Sequence, residues 1–163
     1  MNIREEGVPE KVTGYIRAGA QDAVMFFGAE FADAEPAKIV NAIDDVTRRW
    51  QTGYRPAIED ADDPVNAAWI FGSLWGQQIV RQFGWGWAKL TWLDSDNAVA
   101  FGVVSPDRSL VVYPMNFVEA FMRDANMDVT VMLSFNMLLA NASPAMPPRS
   151  YTNMMNYVQR VVR

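Results

Sequence analysis

Residues 62–84 carry the most constraining feature of the chain, a helix that a small fold cannot leave on its surface. Asp62 or Asp63 caps its start, Pro64 suits a first turn whose N–H has no partner anyway, and Gly84 stops it after Phe83. Between those ends the only charged residue is Arg81. Ala68, Gly72 and Gly76 recur every four residues, a stripe that lets another backbone come close. A helix of this kind belongs at the centre of a core.

The elements around it follow from periodicity. Beyond Gly84 the pattern changes to alternation over residues 85–93, 98–104 and 110–113. Asp94-Ser95-Asp96-Asn97 and Ser105-Pro106-Asp107-Arg108 between these runs are turn formers of hairpin length, so a three-stranded antiparallel meander is predicted. Upstream, Val12, Ile16, Ala20, Val24 and Phe27 repeat at helical spacing over residues 9–27, although Gly14 and Gly19 lower the propensity. A second helix opens at Pro36, buries Ile39, Ile43, Val46 and Trp50, and ends by Gly53.

Downstream, Pro114 ends the third strand and opens a helix through Phe117, Val118, Phe121 and Met122. Another helix is predicted over 128–140, with strand as the alternative for 129–133. Pro144, Pro147 and Pro148 make 141–150 an extended connector, and Tyr151, Met154, Val158 and Val161 form a helical stripe that docks back. The expected class is α+β: N-terminal helices and a central helix packed on a small meander, with C-terminal helices. A single domain covers 1–163, divided into a helical part at 1–60, helix plus meander at 63–125, and a helical part at 126–163.

Composition narrows the chemistry. The chain has no cysteine and no histidine, which removes thiolate nucleophiles, the usual Ser-His-Asp triad, Cys/His zinc sites and the commonest general base. Neither a P-loop nor a dinucleotide-binding turn occurs, because Gly84-Trp85-Gly86 lies between helix and strand in the wrong order. No cofactor and no catalytic residue are expected, and hydrolase activity is not expected. The net charge of −5 disfavours a phosphate backbone as partner. Residues 1–63 hold 13 acids against 7 bases, so the negative charge belongs to the N-terminal part.

Glu5 and Glu6 stand where a signal peptide needs basic residues, and the apolar stretch at 129–140 is too short and too interrupted to span a bilayer of about 20 helical residues. A cytoplasmic location without membrane contact is the expectation.

Two stretches carry a family resemblance. Residues 71–87 form a Gly-spaced helix ending in Gly84-Trp85-Gly86-Trp87, and residues 104–118 hold a Pro106-Asp107-Arg108 turn leading to Tyr113-Pro114-Met115-Asn116-Phe117. Over roughly 65–125 the chain resembles the bacterial domain of unknown function family 3806. The resemblance implies a helix packed on a small antiparallel sheet and implies no activity.

Among the polar motifs, Asp94-Ser95-Asp96-Asn97 opens like a calcium loop, but Val99 and Ser105 stand where that loop needs Gly and Glu, so a hairpin turn explains it. Glu59, Asp60, Asp62 and Asp63 place four carboxylates in five residues, and capping accounts for only one or two. They are read as a surface for a basic protein partner, with Trp87 as the accompanying aromatic.

The leading expectation is an acidic binding protein, such as a bacterial immunity protein that neutralises a toxin. The alternative is a small-molecule pocket, sensory or enzymatic, between the central helix and the sheet, lined by Gly72, Gly76, Trp87, Tyr113 and Asn116. Arg108 and Asn116 are read mainly as groups that satisfy backbone at a turn and a helix start. A homodimer through Met146, Met154 and Met155 is a third expectation.

Overall fold

Asp63 and Gly84 bound the central helix in the computed structural model, which describes residues 2–159. In chain order the elements are β1 (Ile3–Glu6), α1 (Glu10–Phe27), α2 (Pro36–Gln51), α3 (Pro64–Phe83), β2 (Gly86–Trp92), β3 (Ala98–Val104), β4 (Leu110–Val112), α4 (Pro114–Arg123), α5 (Val131–Leu139) and β5 (Thr152–Asn153). The class is α+β. The sheet runs β1-β2-β3-β4-β5, antiparallel through β4 and parallel between β4 and β5.

The meander occupies β2 to β4 as expected, and the sheet gains a strand on each side. β1 corrects the reading of residues 1–60 as purely helical: Ile3 pairs with Trp92 and Glu6 with Lys89. β5 corrects the C-terminal helix, because the tail docks as a two-residue strand followed by a short 3-10 turn over Met154–Tyr157. Val161 lies outside the described residues. Residues 129–133 form no strand, and the helix there begins at Val131. Its start is fixed from outside, since the buried Asp44 of α2 accepts a hydrogen bond from the Met132 N–H at 2.8 Å.

α3 is surrounded by α1, α2 and α4 and leans on β2 and β3. Residues 70–76 are all buried, which is why this stretch is apolar all round. The small-residue stripe has two functions. At Gly72 it admits backbone, for a Cβ there would stand 2.6 Å from Met115 Cα at the start of α4. At Gly76 it admits a ring: the Trp87 indole occupies the space of a side chain, with Pro114 Cγ 3.2 Å from the same point.

Register sets the two faces of the sheet. Trp87 pairs with Val103, and Val103 with Val112, so these three face the helices and join the main core. Trp92 points the other way and meets Tyr113 at a ring distance of 5.7 Å, in a second cluster with Leu90, Val104 and Val111. Tyr113 lies over Gly102 there, and burial pushes its phenol well above the usual range.

Met154 and Met155 are buried in the core and Met146 packs against it. The tail methionines therefore do not form the free contact surface read from the sequence for a homodimer.

Candidate protein-interaction surface

The acidic run divides its labour at the start of α3. Asp63 is the cap: its carboxylate accepts from the Asn66 backbone N–H and from Asn66 Nδ2, each at 2.9 Å. Asn66 Nδ2 also donates to the Asp60 carbonyl at 2.9 Å, which ties the preceding turn to the helix. Asp60 has a φ of 61°, a left-handed turn that aspartate tolerates better than most residues. Glu59, Asp60 and Asp62 are exposed, and their carboxylates have no hydrogen-bond or ion-pair partner among the described residues.

An aromatic pair lies beside them. Trp69, one turn into α3, crosses α1 where Gly19 has no side chain; a Cβ at Gly19 would stand 3.1 Å from Trp69 Cδ1. The indole Nε1 donates to the Tyr15 carbonyl at 3.1 Å, so the ring is fixed while one side stays open. Tyr15 itself is 54% exposed. Tyr15, Trp69, Asp22, Glu59 and Asp60 line one depression of about 550 Å³; among the described residues no basic side chain lines it, and Lys11 Nζ lies 5.9 Å over the Tyr15 ring.

Trp69 also borders a smaller hollow on the sheet side, of about 200 Å³, with Val65, Val99, Asn116 and Glu119. Val65 and Val99 are about half exposed. The result is a fixed aromatic and aliphatic strip with carboxylates along its margin. Exposed aromatics held in one rotamer contribute contact area at little entropic cost, and marginal charge steers and selects partners.

Of the residues singled out from sequence, the structure brings Glu59, Asp60, Asp62 and Asp63 together and leaves Trp87 apart. Trp87 rests on Gly76, about 20 Å along the α3 axis from Asp63 at ~1.5 Å per residue. Gly72, Gly76, Trp87, Tyr113 and Asn116 do not line one space: Met115 backbone fills the position at Gly72, the Trp87 ring fills that at Gly76, Tyr113 lies on the other face of the sheet, and Asn116 is exposed. The aromatics that do accompany the acids, Tyr15 and Trp69, were not among them. Only the crossing of α1 over Trp69 at Gly19 places an open ring at this end of α3.

A second polar cluster joins segments far apart in sequence. Arg108, in the turn between β3 and β4, donates from Nε and Nη2 to the two oxygens of Glu5 at 3.0 Å each, and Tyr151 donates its hydroxyl to Glu5 Oε1 at 2.9 Å. Arg108 also donates to the Pro106 carbonyl at 2.9 Å. The Arg108 guanidinium holds the Glu5 carboxyl below its usual range, with Tyr151 adding to the effect against desolvation. Kept ionised in this way, Glu5 is a poor proton acceptor. These residues border a polar cleft of about 780 Å³ with Asp107 and Arg149. Arg108, Arg149 and Tyr151 all have positive φ, stabilised by bonds such as Tyr151 N–H to the Arg108 carbonyl at 2.9 Å. The cluster ties the chain's two ends to the meander.

Among the described residues no group of acidic side chains is placed to hold a metal ion, and no helix is long and apolar enough to cross a membrane. No protein-family model, curated protein or solved structure matches the chain.

Proposed function

We propose that this chain is a binding protein for a basic protein partner, of the kind exemplified by bacterial immunity proteins and other small inhibitors, and that it performs no chemistry of its own. The observation that carries the reading is the shared depression of Tyr15 and Trp69 with Asp22, Glu59 and Asp60. A pre-set aromatic anchor meets three carboxylates there, two of them in a loop whose backbone is held by Asn66. Neutralising contacts from lysine or arginine side chains complement such a margin, while an apolar side chain covers the ring.

The test is affinity capture from a bacterial lysate with wild-type protein and with the Glu59→Lys/Asp60→Lys variant. A basic protein retained by the first and lost by the second supports the proposal. Retention of the same proteins by both places the contact elsewhere.

A further inference from the structure

We propose that the hollow between α1 and α3, floored by Trp87, binds a small amphipathic carboxylate: one acid group on a compact apolar body. The floor exists because Gly76 has no side chain, so that the Cζ2–Cη2 end of the Trp87 indole enters the space a side chain would take; Ile16 and Val80 extend it. Arg17, Gln77 and Arg81 form the rim. Among the described residues no carboxylate lines this hollow, although the protein as a whole carries a net charge of −5. It is a local reversal of sign placed over an apolar surface.

The donors are unequally committed. Arg81 is held by Gln78 Oε1 at 2.5 Å and by the Ala34 carbonyl at 3.4 Å. The side chains of Arg17, Gln77 and Trp87 make no hydrogen bond or ion pair with any described residue. Guanidinium and indole N–H groups only donate, so a ligand that satisfies them must bring acceptors. A carboxylate matches the arginine fork with two parallel bonds. A volume of about 270 Å³ restricts the apolar body to a single ring or short chain, below the usual drug-sized occupant. The hollow lies nearer the C-terminal end of α3 than the acidic depression, with no lining residue in common, and the inference does not depend on the proposed function.

Calorimetric titration with hydrocinnamate, its neutral alcohol and the corresponding amine tests the inference on wild-type protein, Arg17→Gln and Trp87→Phe. Hydrocinnamate is expected to saturate with a Kd of roughly millimolar or tighter, as suits so small a ligand. The alcohol and amine should bind at least about tenfold more weakly. Arg17→Gln should remove that preference with an unchanged melting temperature, and Trp87→Phe should weaken all three ligands together. Absence of saturable heat with hydrocinnamate, equal affinity for acid and alcohol, or wild-type acid affinity in Arg17→Gln would each overturn the assignment.

Discussion

Trp69 donates its indole N–H to the carbonyl oxygen of Tyr15 at 3.1 Å, which fixes a ring of α3 across α1 beside Glu59 and Asp60. This bond makes the aromatic an anchor instead of a mobile surface group. Trp69→Phe keeps a ring over Gly19 but loses the N–H, so stability should fall by about 1 kcal/mol in urea unfolding. Trp69→Ala should remove about 2 kcal/mol or more of partner affinity by calorimetry, the loss typical of a binding hot spot. Partner affinity unchanged in Trp69→Ala would separate the ring from the interface.

The small-residue stripe of α3 gives a graded prediction. Gly72→Ala meets the backbone of Met115, which cannot step aside, and overpacking should cost about 1–3 kcal/mol or more despite the better helix propensity of alanine. At Gly76 the obstacle is the end of the Trp87 ring. Gly76→Ala should therefore destabilise the wild-type background yet be neutral or favourable in Trp87→Ala, a coupling of about 1 kcal/mol in a double-mutant cycle. Equal costs in both backgrounds would show that the ring is not what fills the space. Gly76→Leu should be more damaging than Gly76→Ala.

Acid should loosen the attachment of the two chain ends. Folded Glu5 binds a proton less readily than the unfolded chain does, because Arg108 and Tyr151 donate to its charged form. Its contribution is therefore complete above the ordinary glutamate value of about 4.3 and is lost as pH falls through the lower folded value. Glu5→Gln should cost about 1 kcal/mol at neutral pH, allowing for partial exposure, and the gap from wild type should close below about pH 4. Urea midpoints measured across that range provide the check, and a gap that persists at low pH would contradict the assignment.

How far the fold was legible depends on where its signals lie along the chain. α3 was legible at both ends because Asp63 and Gly84 act on their own neighbours, one as a cap and the other at a φ of 72°. The meander was legible because its turns are local. β1 was not: its partner lies more than eighty residues away, and Ile3 is its only apolar residue. The tail has helical spacing, yet Thr152 and Asn153 pair with β4 and Met154 and Met155 enter the core, so tertiary packing overrides periodicity. The same division holds for the site. Exposure of Glu59 and Asp60 could be read from the loop they occupy, whereas Trp69 as their companion depends on a helix crossing at Gly19.

Steering of a basic partner by Glu59 and Asp60 onto the Tyr15 and Trp69 surface is read in the rate of stopped-flow association. The partner isolated by capture is mixed with wild-type protein and with Glu59→Lys/Asp60→Lys at low and at high salt. Charge at an interface margin acts mainly on the association rate and is screened over about 8 Å at physiological ionic strength. Association should be at least about tenfold slower for the variant at low salt, with a shallower salt dependence and convergence of the two rates at high salt. An association rate and salt slope equal to those of wild type would contradict it.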